Sequence, residues 1–179
     1  MDPKVKQDRR NKVIEVLNKA RAMELQAIHQ YMNQHYNLGD KDFGELAGKM
    51  KLIAIDEMRH AELFADRIKE LGGEPTTEKA GGIATAQDVK VVYAFDAERE
   101  DEALVAYNEF LQVCRENGDS ITMKLFETII ADEQVHFNYF DNVNDHIEKL
   151  GNTYLAKIAG TPSSTGLPPA GFTVQAGGQ

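Results

Sequence analysis

Apolar residues recur along this chain every three or four positions, in four long runs. The first, about Val5 to Leu38, places Ile14, Leu17, Glu24, Ile28, Tyr31 and Leu38 on one seam, with Arg21 and His35 in its two remaining slots. No glycine or proline interrupts it between Pro3 and Gly39, so the spacing predicts one helix that stops at Gly39. The second, about Lys41 to Leu71, has the seam Leu46, Met50, Ile53, Glu57, His60, Phe64, Ile68 and Leu71, and Gly72-Gly73 ends it. Gly44 and Gly48 fall inside its first turns, where each would weaken the helix by up to ~1 kcal/mol relative to alanine. The third, about Val89 to Asn117, carries Val89, Tyr93, Ala97, Glu100, Leu104, Tyr107, Leu111 and Cys114, with Asp88 as the expected N-cap. The fourth, about Ser120 to Leu150, carries Phe126, Ile129, Glu133, His136, Phe140, Val143, Ile147 and Leu150, capped by Asp119 or Ser120. Seams this long with a period near 3.5 predict an all-α left-handed four-helix bundle.

Between the second and third helices, residues 72–87 contain Gly72-Gly73, Pro75, Thr76-Thr77 and Gly81-Gly82. The segment is too long for a tight turn, so helices 2 and 3 are expected to run parallel, joined by a crossover along the bundle. Thr153 to Ala159 reads as a short fifth helix. The Gly-, Pro-, Ser- and Thr-rich remainder reads as a flexible tail. The division is thus a helical domain over 1–160 and a tail over 161–179.

Four glutamates interrupt the apolar seams at mid-helix: Glu24, Glu57, Glu100 and Glu133. Glu57-Met58-Arg59-His60 puts a carboxylate and an imidazole on one helix face, and Glu133-Gln134-Val135-His136 repeats the pattern. A shift of 76 residues carries Glu57 onto Glu133, His60 onto His136, Glu24 onto Glu100 and Tyr31 onto Tyr107. An unpartnered buried carboxylate costs several kcal/mol, and four together also repel. Arg21 and Arg67 are too few and off-centre, so two divalent cations are the expected neutralisers. Four Glu and two His suit iron or manganese, whereas structural zinc prefers sulfur and nitrogen. One Glu from each of two helices with Glu-x-x-His from each of the other two is the known pattern of di-iron carboxylate bundles. A lone Glu-x-x-His on a helix mostly marks a solvated face; the register-matched repeat is what favours metal.

Asp56 and Asp132, each preceding a ligand glutamate, are placed to accept the free ring N–H of the histidine in the opposite half. Tyr31 and Tyr107 read as core tyrosines within hydrogen-bond reach of a ligand. His29, His35 and His146 lack the repeat and are expected away from the centre, and Met23, Met32, Met50 and Met123 read as core filler. Met58 points about 100° off the metal seam, and its mate in the repeat is Gln134. Two readings are open for it: packing against a partner, or a thioether ligand to haem iron.

Composition narrows the partners. The chain has 179 residues and a net charge of −9, which favours cations over nucleic acid or anionic lipid. Cys114 is the only cysteine, so no internal disulfide and no cysteine-ligated zinc or iron–sulfur site is available. That fits a reducing cytoplasm. The charged stretch from Met1 to Asn11 shows no signal peptide, and no apolar run is long enough for a membrane span.

The chain resembles the bacterioferritins over about Asp8 to Ala159. The resemblance rests on residues 23–31 (MELQAIHQY), residues 55–61 (IDEMRHA) and residues 131–136 (ADEQVH). It implies a ferritin-like bundle assembled from dimers into a hollow 24-subunit homo-oligomer. It implies an iron-storage ferroxidase that oxidises Fe(II) with O2 or hydrogen peroxide and keeps ferric mineral inside the shell. Glu24, Glu57, His60, Glu100, Glu133 and His136 would ligate two iron ions, with Glu57 and Glu133 bridging them. Met58 from each of two partner subunits would ligate one haem at a two-fold interface, and an electron-donor protein would serve iron release. One departure concerns an inner-surface iron site that some members build from the Asp56 position and a histidine four residues earlier. Leu52 fills that histidine slot here. The tail after Ala159 is also longer than the family usually carries. The alternative function is a rubrerythrin-like di-iron peroxidase, though the four-cysteine module common there is missing. A non-enzymatic alternative is a haem-binding or structural shell.

Overall fold

A computed structural model describes residues 2–163 and 171–173. Five helices follow in order: α1 (Pro3–Asp40), α2 (Gly44–Glu70), α3 (Val89–Glu116), α4 (Ser120–Leu150) and α5 (Asn152–Ile158). The four long helices, the crossover and the short fifth helix stand as the sequence predicts. The expected tail, 161–179, falls outside the described residues at 164–170 and 174–179.

The helix ends show how the local sequence sets the boundaries. Asp88 and Asp119 cap α3 and α4, their side chains accepting from the backbone N–H of Lys90 and Thr122. Helix α2 ends with Gly72 at φ +82°, where the Gly72 N–H donates to the Lys69 carbonyl and the Gly73 N–H to that of Ile68. Helix α1 corrects an expectation. It continues through Gly39 and ends with the same pair of bonds built on Asp42, which adopts φ 65°. A short polar side chain tolerates this left-handed geometry better than most residues do. Helix α2 correspondingly begins at Gly44, three residues later than expected. A Cβ on Gly44 would lie 2.0 Å from the Thr161 carbonyl oxygen, so that glycine marks a close backbone approach rather than a weak helical turn.

The crossover after α2 runs along α1. Asn18 donates to the Glu74 carbonyl, Gln26 to that of Gly82 and Gln30 to that of Ala84, while Lys41 donates to that of Gln87. Successive crossover residues meet successively later residues of α1, so the connector travels up the bundle and α3 starts beside the end of α1. Helices α2 and α3 are therefore parallel. The main pairings are α1 with α2 and α3 with α4.

The core lies in two clusters. One contains Val13, Leu17, Phe64, Ile68, Cys114, Phe126 and Ile129; the other contains Leu38, Leu46, Ile53, Tyr93, Val143 and Ile147. A polar layer separates them, and it holds the four seam glutamates. Cys114 is core, and burial pushes its thiol up to about 12. Leu150, expected on the fourth seam, is 53% exposed because α4 ends there.

Candidate metal centre

The polar layer draws on all four long helices. Glu24, Glu57, His60, Glu100, Glu133 and His136 are all buried. They form two overlapping groups whose potential ligand atoms lie within 4.8 Å of one another: Glu24, Glu57, His60 and Glu133, and Glu57, Glu100, Glu133 and His136. Glu57 and Glu133 belong to both. His60 Nδ1 lies 3.0 Å from Glu57 Oε2 and 3.1 Å from Glu133 Oε1. His136 Nδ1 lies 3.1 Å from both Glu57 Oε1 and Glu133 Oε2. Each of these carboxylates thus offers one oxygen to each half of the site.

Around this set the predicted supporting groups are in place. His60 Nε2 is 3.4 Å from Asp132, and His136 Nε2 is 3.4 Å from Asp56, so each histidine meets the aspartate of the opposite half. The Tyr107 hydroxyl donates to Glu24 at 2.6 Å, and Tyr31 donates to Glu100. The other histidines lie elsewhere: His29 and His35 bond backbone carbonyls, and His146 packs on Tyr154. Arg21 and Arg67 also serve other ends, Arg21 on the Thr76 and Ala61 carbonyls and Arg67 on Asp119. Met58 is 55% exposed, off the seam as expected.

Electrostatics explain why the site suits cations. Burial, reinforced by repulsion from Glu133 and Glu57, pushes the Glu24 and Glu100 carboxyls well above the usual range. Burial also disfavours charge on His60 and His136, but the carboxylates facing them outweigh it and raise both imidazoles well above their ordinary value. Glu133 goes the other way: the two histidines overcome its burial and hold it below the usual carboxylate range. Burial and charge crowding thus favour proton uptake by this pocket. Among the described residues, Glu57 Oε1 and Glu133 Oε1 still have no hydrogen-bond donor. Each lies 3.1 Å from a histidine Nδ1 that is already hydrogen-bonded to the glutamate of its own helix. Two buried, unsatisfied carboxylate oxygens in an oxygen-rich set with two imidazoles fit hard-to-borderline divalent ions.

A cavity of about 90 Å³ opens beside the glutamates, between α1 and α3. Met23, Gln26, Tyr31, Arg99 and Tyr107 line it with Glu24 and Glu100. It is large enough for a small co-reactant and water.

Two features escaped the seam reading. Asp96, one turn before Glu100, is fully buried and accepts from Gln34 at 2.8 Å. Burial raises its carboxyl well above the usual range. Its signal was the i, i+4 relation to a ligand glutamate. The second is Thr173, whose N–H donates to Asp56 at 2.9 Å. No periodicity connects the tail with α2.

The comparisons with known proteins agree with this architecture. Residues 14–150 match the family model described as a ferritin-like domain. A bacterioferritin of Desulfovibrio desulfuricans is 66% identical over 167 residues, 93% of each chain. One from Streptomyces coelicolor is 38% identical over 148 residues, covering 82% of this chain and 88% of that one. A solved structure of the Desulfovibrio desulfuricans protein, described as showing its diiron site in different catalytic states, superposes with a TM-score of 0.90 and covers 93% of this chain and 98% of that one. A Mycobacterium tuberculosis bacterioferritin structure superposes with a TM-score of 0.78 at 31% identity, covering 89% of this chain and 96% of that one. This chain belongs to the bacterioferritin family.

Proposed function

We propose that the chain is an iron-storage ferroxidase whose centre consists of Glu24, Glu57, His60, Glu100, Glu133 and His136. The observation that carries this is the overlap of two four-residue ligand groups on Glu57 and Glu133, each presenting one oxygen to each half. Fe(II) is the substrate. One ion would be held by Glu24 and His60, the other by Glu100 and His136, and both by the shared carboxylates. Together they supply two electrons, which reduce O2 to peroxide or peroxide to water. The chain's own residues do the rest. Asp132 and Asp56 fix the ring orientation of the histidines, Tyr107 and Tyr31 orient the terminal glutamates, and the carboxylates stabilise the higher charge of the ferric product. Histidine and glutamate protons leave as iron enters.

The relatives support an assembled shell; our reading adds 24 subunits built from dimers, ferric mineral inside and a cytoplasmic location. Among the described residues no helix is long and apolar enough to cross a membrane. Haem fits the donor chemistry of Met58, an exposed thioether on the outer face of α2. Two such thioethers from partner subunits would hold it, and it would supply electron transfer, with a donor protein as the source of electrons for iron release.

The test is Fe(III) absorbance after mixing Fe(II) with O2 or peroxide. The native protein should oxidise two Fe(II) per chain rapidly, while the Glu57→Ala/Glu133→Ala variant should oxidise at the protein-free rate. Equal rates would refute the assignment. The rubrerythrin-like alternative predicts peroxide turnover sustained by an external reductant, with no retained ferric mineral.

A further inference from the structure

The two halves of the centre match in their ligands but differ in what covers them. Asp132, behind His60, has a side chain 36% exposed, and among the described residues its carboxylate meets only that histidine. Asp56, behind His136, is 3% exposed. Its Oδ1 accepts from Arg59 at 3.2 Å, while its Oδ2 faces His136 at 3.4 Å. The same Oδ2 accepts from the backbone N–H of Thr173 at 2.9 Å, with the Thr173 hydroxyl at 3.4 Å. The neighbouring tail residues fit the same spot. Phe172 is buried, with its ring centroid 4.9 Å from that of Tyr139 and 6.2 Å from that of His136. The Lys49 ammonium lies 5.5 Å from the Phe172 centroid. Gly171 approaches so closely that a Cβ there would lie 1.5 Å from Asp56 Oδ1 and 2.5 Å from Arg59 Nη1. Three consecutive residues therefore supply a close approach, an apolar seal and a hydrogen bond, all directed at one aspartate–histidine pair.

We infer that Gly171-Phe172-Thr173 is an intrachain cap on the His136 half of the centre. Thr173 is a positioning residue: it holds Asp56, which orients the His136 ring. Phe172 closes that side to water. The cap breaks the two-fold symmetry of the ligand set, so the ion held with His136 and Glu100 exchanges more slowly than the ion held with His60 and Glu24. This rests on the di-metal reading above.

Two readouts test it on the full assembled protein. In the first, protein loaded with two Co(II) per chain is mixed with excess chelator, and the loss of the bound-Co(II) absorbance is followed. The native chain should lose its metal in two phases of equal amplitude. Ending the chain after Ser163, or substituting Gly171→Val or Phe172→Ala, should speed the slow phase by about 10-fold, the lower end of what loss of a supporting partner costs a metal site. Phe172→Leu should restore most of it. A single phase in the native chain, or a slow phase unchanged by truncation, would overturn the cap. The second readout needs no metal. Amide hydrogen exchange of the peptide containing Thr173 should be protected in the metal-free native chain and unprotected in Gly171→Val, at unchanged native mass. Exchange at the unstructured rate in the native chain overturns the docking. If the native chain takes up no Co(II), the site reading fails, while amide exchange still decides whether the cap docks.

Discussion

At the scale of single residues, protons and metal ions compete for one pocket. His60 and His136 are raised above their ordinary value, and so are the Glu24 and Glu100 carboxyls. Divalent ions compete with protons for these groups, so calorimetry in buffers of different ionisation enthalpy should report net proton release on metal loading. The same shifts set the pH dependence of the metal-free fold. A raised folded pKa gives stability that is complete below the unfolded value and is lost as pH rises through the folded one. For the two glutamates the loss begins above about pH 4.5, and for the histidines above about pH 6.5. Glu133, with its lowered pKa, contributes in the opposite sense, but that contribution is complete above about pH 4.5. The melting temperature of metal-free protein should therefore fall between about pH 5 and pH 8. Metal affinity should rise over the same range, because fewer protons compete. Asp132→Ala removes the partner of His60 while leaving all six ligands, and should weaken metal binding by about 10–100-fold in a Co(II) titration.

At the scale of elements, the helices were legible because apolar period and capping chemistry agreed. The ends of α3 and α4 followed from Asp88, Asp119, Gly118 and Gly151. The junction of α1 and α2 was misread because neither glycine there stops or weakens a helix. Gly39 is simply helical, and the reversal falls on Asp42. Gly44 is needed by a partner 117 residues along the chain, the Thr161 carbonyl, which local sequence cannot reveal. These positions predict opposite signs. Gly44→Ala should lower the melting temperature despite alanine's better helix propensity, because the added methyl meets backbone that cannot yield. Asp42→Gly relieves the left-handed strain and should cost nothing or stabilise by less than about 1 kcal/mol. Thermal unfolding of metal-free protein measures both.

At the scale of the whole molecule, the bundle is a symmetric device carrying asymmetric attachments. The 76-residue repeat places two equivalent half-sites across a polar layer between two apolar clusters. The clustering of these six side chains was legible, since charge on an apolar seam is conspicuous and a constant offset is unlikely by chance. The tail contact with Asp56 was not legible, because a single backbone N–H and one phenylalanine leave no periodic trace. Met58 is the other break in symmetry. If the proposed haem is bound, Met58→Leu should abolish its absorbance while leaving native mass and Fe(II) oxidation intact; a retained bis-thioether spectrum would refute Met58 as its ligand.

The most direct measurement is anomalous diffraction at the iron edge from crystals soaked in Fe(II) without oxygen. Two peaks per chain are expected between Glu57 and Glu133, one adjoining His60 and Glu24 and the other adjoining His136 and Glu100. No peak, a single peak, or iron bound away from these six residues would contradict the paired centre.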